Sequence, residues 1–143
     1  MVAEPSRILA ALFFGFTAVV VLRQSLGGAE VTPDTIAGAI CFYRLLGVIW
    51  ALIYALIELA RPGSFLDGGR PVGSAAAGYH SLVPELLYLS LVTLSALGYG
   101  DILPITQQAR MLAALEAVIG PLYLAVLIAR LVGLAASRPR PGA

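Results

Sequence analysis

The residues of this 143-residue chain whose types and spacing point most clearly to chemistry form one glycine-rich turn, Ala96-Leu97-Gly98-Tyr99-Gly100-Asp101. Glycine tolerates positive φ, so alternating glycines allow successive backbone carbonyl groups to point toward one axis. The other reactive side chains form no catalytic set, because the sequence shows no Ser-His-Asp set, metal-ligand spacing or phosphate loop. The sequence therefore gives enzymatic catalysis no basis, and it indicates no cofactor.

The composition indicates a protein whose solvent is the lipid bilayer. Hydrophobic residues make up 59% of the chain and charged residues 12%, and the mean hydropathy is +0.92. Ordinary soluble domains have roughly 45–50% apolar and about 25% charged residues. A net charge of +1 gives no electrostatic basis for gripping nucleic acid. These values exclude a typical soluble enzyme and predict a small integral membrane protein with no evident soluble ligand.

Three apolar segments, residues 8–22, 36–60 and 111–136, approach or exceed the length of about 20 helical residues that a bilayer core requires. The first is flanked by Arg7 and Arg23, whose long side chains can reach toward the headgroups. A cleaved signal peptide is the alternative for this segment. The second contains Arg44, which we interpret as an arginine that reaches the inner leaflet. The sequence thus predicts three spanning helices.

The stretch between the last two spans contains a segment too short to cross the membrane. Residues 61–81 are rich in Gly, Pro, Ser and Ala, which predicts a surface loop. Residues 82–95 are largely apolar, with Pro84 expected in the first turn of a helix. An apolar helix of this length is either buried or re-entrant. The glycine-rich turn follows this short helix directly, and residues 137–143 are expected to be a disordered tail.

The residues around this turn resemble the potassium channel superfamily. The stretch YLSLVTLSALGYGDILPITQQAR, residues 88–110, is similar to the pore helix and selectivity filter, whose usual form is TVGYG or TLGYG followed by Asp. Gly98, Tyr99, Gly100 and Asp101 match that form, whereas Ala96 replaces the leading threonine. Residues 116–134, EAVIGPLYLAVLIARLVGL, resemble the inner helix of small bacterial two-helix channel proteins. The resemblance covers residues 36–134.

The resemblance implies an all-α membrane protein that assembles as a homotetramer, with the lipid bilayer as its other partner. It implies two spanning helices that flank a re-entrant pore helix and filter loop, and the apolar segment at residues 8–22 adds one N-terminal spanning helix before them. The implied boundaries are an N-terminal helix and cytoplasmic link at 1–35 and a pore domain at 36–136. Within the pore domain they are an outer helix at 36–60, an outer loop at 61–81, a pore helix at 82–95, a filter at 96–101 and an inner helix at 110–136.

The filter is expected to bind the permeant ion through backbone carbonyl oxygens that replace its hydration shell. The resemblance assigns this monovalent cation, potassium, to the carbonyls of Ala96, Leu97, Gly98, Tyr99 and Gly100. Tyr88 matches the aromatic residue that braces the filter by a hydrogen bond to Asp101, and Val92 stands where the family often has an acidic brace. Ala96 lacks the threonine hydroxyl of the innermost site. Three functions therefore remain open, namely a potassium-selective channel, a weakly selective cation channel and a non-conducting assembly subunit.

The inner helix is expected to contain the gate. Gly120 falls where the family commonly has a hinge glycine, and Pro121 removes a backbone donor at the middle of the helix. Leu124, Ile128 and Val132 repeat at four-residue spacing, so they can form one stripe that narrows the pore. We interpret Glu116 as a structural tie to another helix rather than as a proton sensor.

The expected orientation places the filter near the outer surface and the C-terminal tail inside. Arginines then number five inside against four outside, which agrees weakly with the positive-inside rule. Cleavage of residues 8–22 as a signal peptide would invert this pore, so the spanning helix is preferred. The expected location is a cell membrane, most simply the bacterial inner membrane, crossed several times.

Overall fold

The structure, a computed structural model of the chain, describes residues 33–73 and 78–136. The predicted N-terminal helix at 8–22, its alternative as a signal peptide and the predicted tail at 137–143 lie outside the described residues. The described elements are, in chain order, α1 (Pro33–Ala60), β1 (Phe65–Asp67), β2 (Arg70–Pro71), α2 (Gly78–Leu94), β3 (Ile102–Pro104) and α3 (Gln107–Ala136).

The two long helices, α1 and α3, contain 28 and 30 residues. Both are long and apolar enough to cross a membrane. Helix α1 begins at Pro33 rather than at residue 36, because proline suits the first helical position and Asp34 complements the helix dipole in the first turn. Helix α3 begins at Gln107 rather than at residue 110, where the Thr106 hydroxyl accepts a hydrogen bond from the Ala109 amide at 3.4 Å.

The short helix α2 has 17 residues, from Gly78 to Leu94, whereas the sequence predicts residues 82–95. Pro84 therefore lies inside the helix, and its expected position in the first turn is wrong. The earlier start reflects continuation of the helix through residues that composition alone assigned to the loop. At the other end, the Ala96 amide donates to the Thr93 carbonyl at 2.9 Å, which closes the helix in a tighter turn.

The described fold is mostly helical, in agreement with the predicted class, and it adds one small sheet that the sequence did not predict. A three-stranded antiparallel sheet of order β2-β1-β3 occupies part of the predicted loop and the segment after the glycine-rich turn. Gly68 and Gly69 have φ of 52° and 86°, as a two-residue hairpin turn between β1 and β2 requires. The strands are too short to show an alternating pattern, although the Asp67-Gly68 dipeptide is a recognised hairpin signal.

A buried carboxylate anchors the start of this sheet to the end of α1. Glu58 Oε1 accepts a hydrogen bond from the Gly63 amide at 2.6 Å, and Glu58 Oε2 accepts one from the Phe65 amide at 2.9 Å. The Ser64 carbonyl accepts from the Ile105 amide at 2.8 Å, which joins the chain after β3 to the same corner. The segments before α2 and after the glycine-rich turn are therefore held together.

The core forms where the three helices and β1 meet. Its largest fully buried side chains include Tyr54, Phe65, Leu86 and Leu94, and the rings of Tyr54 and Phe65 lie 5.1 Å apart. Helix α1 passes close to α2 at Gly47, where a Cβ atom would lie 2.7 Å from Leu91 Cδ2. Helix α3 packs with one side only, since large exposed apolar side chains cover the rest: Met111, Leu115, Val118, Leu122, Leu124, Val126, Ile128 and Val132.

Candidate functional site

The glycine-rich turn has an unusual backbone. Ala96, Gly98 and Gly100 have positive φ of 57°, 60° and 78°, and the residues between them do not. When left- and right-handed residues alternate, successive peptide groups turn in the same direction, unlike those of a strand. The amide of Leu97 donates to the Val92 carbonyl at 3.0 Å, and that of Gly98 donates to the same carbonyl at 3.4 Å. The end of α2 thus holds the first amides of the turn.

The carbonyl oxygens of residues 96–100 are free to meet a ligand. Within the described part of the chain, no donor bonds to any of these five carbonyls. The turn itself is exposed, with Leu97 57% and Tyr99 66% accessible, and a Cβ atom at Gly98 or Gly100 would meet nothing within 4 Å. One chain therefore supplies a set of five carbonyl oxygens without hydrogen-bond donors. Neutral oxygen ligands of this kind suit an alkali cation better than a transition metal.

Tyr88 and Asp101, the predicted brace, lie in contact at the C-terminal end of the turn. The Tyr88 hydroxyl donates to Asp101 Oδ2 at 2.7 Å, and the Ile102 amide donates to Asp101 Oδ1 at 3.0 Å. The hydrogen bond from Tyr88 is the main cause that lowers the pKa of Asp101 below its usual value. The same bond raises the pKa of Tyr88 to about 12. At neutral pH, Asp101 is therefore an anion and Tyr88 a neutral donor.

We expect Tyr88→Phe to raise the pKa of Asp101 toward its ordinary value, because the main group that stabilises the carboxylate is lost. The pKa of Asp101 is lower in the folded than in the unfolded protein. The Asp101 carboxylate therefore stabilises the fold at pH values above its unfolded-state pKa, and this stabilisation is lost as the pH falls through its folded-state pKa. Carbon-13 carboxyl NMR of aspartate-labelled protein measures the shift. An unchanged Asp101 titration in the variant contradicts the prediction.

The C-terminal end of α2 is held between the two long helices. The Tyr43 hydroxyl of α1 donates to the Leu94 carbonyl at 2.9 Å. On the other side, Gly120 of α3 lies so close that a Cβ atom there would be 1.9 Å from the same oxygen. Sequence reasoning assigned Gly120 to a hinge and did not identify Tyr43 as a site residue. It missed these contacts because the partner is a backbone carbonyl, which leaves no mark in the sequence.

Glu116 joins all three helices. Its side chain is fully buried, its Oε2 accepts a hydrogen bond from the Tyr54 hydroxyl of α1, and its Oε1 is hydrogen-bonded to the Ser90 hydroxyl of α2. The Ser90 hydroxyl also lies 2.9 Å from the Gly47 carbonyl of α1. The sequence predicted a tie from Glu116 to another helix without indicating the partners.

The predicted gate residues lie along α3 after this junction. Gly120 is buried, and Pro121 lies inside a helix that is continuous from Gln107 to Ala136. The stripe residues Leu124, Ile128 and Val132 are 39%, 59% and 60% exposed. Sequence reasoning did not identify Tyr123, whose hydroxyl donates to the Ala39 carbonyl at 2.9 Å and whose ring stacks on Tyr43 at 6.0 Å. Tyr123 fastens α3 to α1 just beyond Gly120.

Comparison with known proteins gives a consistent picture. The family profile described as "Ion channel" matches residues 73–136. Protein LctB of Bacillus caldotenax is 30% identical over 103 residues, which cover 72% of this chain and 74% of that protein. Protein LctB of Geobacillus stearothermophilus is 32% identical over 104 residues, with 72% and 74% covered.

A third relative has a more informative name. The inward rectifier potassium channel Kirbac3.1 of Paramagnetospirillum magnetotacticum is 34% identical over 104 residues. The aligned part covers 70% of this chain but only 29% of that channel, so most of the inward rectifier has no counterpart in the alignment. No solved structure matches the chain significantly. The similarities are therefore to an ion-channel domain and to proteins of comparable or greater length that contain one.

Proposed function

Because this chain is a membrane protein of the potassium channel superfamily, two-helix type, we propose that it forms a homotetrameric potassium-selective channel in the bacterial inner membrane. In this proposal α1 is the outer helix, α2 the re-entrant pore helix and α3 the inner helix, so that the chain crosses the membrane more than once. Residues 96–101 form the selectivity filter. The observation that carries the proposal is the row of unbonded carbonyls at residues 96–100, made possible by alternating positive φ.

The chemistry of conduction follows from these carbonyls. A potassium ion enters the filter when carbonyl oxygens replace its water at little net cost, which requires oxygens around the whole axis. One chain supplies oxygens from one side only, so four copies around an axis complete the ring. The exposed side chains of Leu97 and Tyr99 point to the same conclusion, because exposed apolar groups next to the filter gain partners when chains assemble. The C-terminal end of α2 adds the negative end of a helix dipole near the ion.

The inner helix supports a gate in this proposal. Leu124, Ile128 and Val132 form an exposed apolar stripe, which in a tetramer faces the axis and narrows the pore by excluding water. Pro121 removes one backbone hydrogen bond from the middle of α3, so α3 can bend there, directly after the close contact of Gly120 with α2. The hydrogen bond from Tyr123 to Ala39 restrains the helix next to that point, so opening requires α1 and α3 to move together or this bond to break.

The test is ion flux into liposomes that contain the purified chain. We expect potassium uptake that external barium blocks, little sodium uptake, and a tetrameric mass for the purified protein. Equal uptake of potassium and sodium would support the second candidate, a weakly selective cation channel, which the alanine at position 96 specifically favours. No uptake of either ion by verified tetramers, under all membrane potentials tried, would support a non-conducting assembly subunit.

Replacing Ala96 by threonine is expected to raise the permeability ratio of potassium to sodium several-fold, because a hydroxyl ring is restored at the innermost site. Since Ala96 has φ of 57°, a conformation in which β-branched residues are genuine outliers, threonine also adds backbone strain in each chain. Reversal potentials under mixed ionic conditions measure the ratio. Ala96→Val is the matched control, since it is branched but has no hydroxyl, and equal ratios for the two variants would contradict the role of the hydroxyl.

A further inference from the structure

The hydrogen-bond network around Glu116 contains one proton fewer than its contacts require if Glu116 is an anion. The Ser90 hydroxyl has a single proton but two close oxygen neighbours, Glu116 Oε1 and the Gly47 carbonyl. The Gly47 carbonyl can only accept. If Ser90 donated its proton to Glu116, the Ser90 oxygen and the Gly47 carbonyl oxygen would lie 2.9 Å apart with no proton between them. Both contacts become hydrogen bonds when the proton between Ser90 and Glu116 comes from Glu116.

Burial supports the same assignment. Glu116 is 0% exposed, and its hydrogen-bonding partners are two hydroxyl groups, those of Tyr54 and Ser90. A buried carboxylate normally requires a cationic partner, because transfer of an unpaired charge out of water is costly. Four arginines of the described chain are exposed rather than directed into this core: Arg44, Arg61, Arg70 and Arg110. The surroundings of Glu116 therefore suit an uncharged acid.

We propose that Glu116 is held as a neutral carboxylic acid that donates its proton to Ser90 and thereby positions the filter. The chain of donation runs from Tyr54 to Glu116 Oε2 and from Glu116 Oε1 through Ser90 to the Gly47 carbonyl. Relative to the carboxylate form, the network therefore holds one additional proton, which lies on Glu116 Oε1. Helix α1 contributes Tyr54 and the Gly47 carbonyl, α2 contributes Ser90, and α3 contributes Glu116. The three helices are therefore connected beside the filter by hydrogen bonds of a neutral acid rather than by an ion pair.

The position of this junction explains its effect on the filter. Ser90 and Leu94 are one helical turn apart on α2, and Glu116 and Gly120 are one turn apart on α3. The network therefore lies one turn from the close contact between Gly120 and the Leu94 carbonyl. Leu94 is the last residue of α2, two residues before Ala96, the first residue whose carbonyl faces the ion in the proposed filter. Glu116 is a positioning residue, since it acts on the filter through α2 and touches no ion.

The first experiment observes the proton directly. Infrared spectra of the protein in lipid at neutral pH, in water and in D2O, are compared for the unaltered chain and Glu116→Gln. We expect the difference spectrum to contain the carbonyl stretch of a protonated acid, shifted in D2O. Glu58→Gln is the matched control, because both Glu58 oxygens accept amide protons and its carboxylate contributes no such band. Absence of the acid band from the Glu116→Gln difference would overturn the proposal.

The second experiment tests the positioning role. A glutamine side chain can donate to Ser90 and accept from Tyr54, so Glu116→Gln should retain tetramer stability and most of the potassium flux. Glu116→Ala and Ser90→Ala each break the chain of donors, and we expect at least about a tenfold loss of flux or selectivity, as loss of buried hydrogen bonds implies. A neutral acid is contradicted if Glu116→Gln is as defective as Glu116→Ala, and a positioning role is contradicted if neither alanine variant alters flux or selectivity.

This inference rests on the proposed channel function, and the two experiments separate the two claims. Liposomes without flux from the unaltered chain would count against conduction, whereas the infrared band would still report the state of Glu116. Conversely, a selective channel that lacks the band would retain the proposed function and lose the neutral acid. If Glu116→Ala fails to assemble, Ser90→Ala supplies the flux comparison. This substitution removes only one oxygen, and alanine has a high helix propensity, so α2 is expected to remain helical.

Discussion

Gly98→Ala is expected to abolish potassium flux. Gly98 has φ of 60°, a conformation that costs an L-residue with a side chain about 1–2 kcal/mol, and the strain is repeated in every subunit. Alanine relieves this strain by turning its peptide group, which removes a carbonyl from the row that faces the ion. No steric clash contributes within the chain, since a Cβ at this position meets nothing within 4 Å. Barium-sensitive flux in liposomes measures the effect.

The control for this variant is Gly68→Ala in the hairpin turn. Gly68 has φ of 52°, and a Cβ atom there also meets nothing within 4 Å, so the strain in the two variants is similar. It differs from Gly98 in lying outside the row of carbonyls. We expect Gly68→Ala to lower thermal stability slightly and to retain most of the flux. Comparable flux in the two variants would mean that the backbone conformation at Gly98 has no special role.

Gly120→Ala is expected to destabilise the protein strongly and to displace the end of α2. The new Cβ would lie 1.9 Å from the Leu94 carbonyl oxygen and 2.8 Å from its carbon, and these are backbone atoms that cannot rotate away. Overpacking of this kind typically costs about 1–3 kcal/mol, and a backbone clash lies at or above the upper end. Thermal unfolding of the assembly and the ratio of potassium to sodium flux both report the displacement.

Gly133→Ala on the same helix is the control for Gly120→Ala. It separates the steric clash at position 120 from the general influence of glycine on helix flexibility. A Cβ at Gly133 meets nothing within 4 Å, so the substitution adds helix propensity without a clash. Unfolding at or slightly above the temperature of the unaltered chain is the expected result. If both variants lose function equally, then Gly120 acts by making the helix flexible, as sequence reasoning supposed, and not by allowing close contact.

The sequence predicts the local features of this fold well, because they depend on local chemistry. Apolar runs of sufficient length located the two long helices, and the spacing of Gly98 and Gly100 indicated the turn in which both have positive φ. The errors concern the ends of elements. Thr106 caps α3 earlier than the apolar run suggests, and α2 continues back to Gly78 through residues that resemble a loop.

Contacts between elements were much harder to predict. Tyr43 and Tyr123 both donate to backbone carbonyls of other helices, and any residue can supply such an acceptor. The partners of Glu116 depend on how closely α1 approaches α2 at Gly47, a distance that one sequence does not encode. The sequence did not indicate that Glu58 anchors the sheet to α1. Its two carboxylate oxygens accept hydrogen bonds from the amides of Gly63 and Phe65, which come within reach only when the loop has folded.

The pairing of β1 with β3 has a consequence for how such chains can diverge. Phe65 pairs with Pro104, so the whole intervening segment, which includes α2 and the turn, begins and ends at the same place. Once the ends of a segment meet, doubling the length of a flexible part costs only about 0.6 kcal/mol more in closure entropy. Changes of length between β1 and β3 therefore carry a small entropic penalty, as long as they preserve the contacts of α2 with α1 and α3.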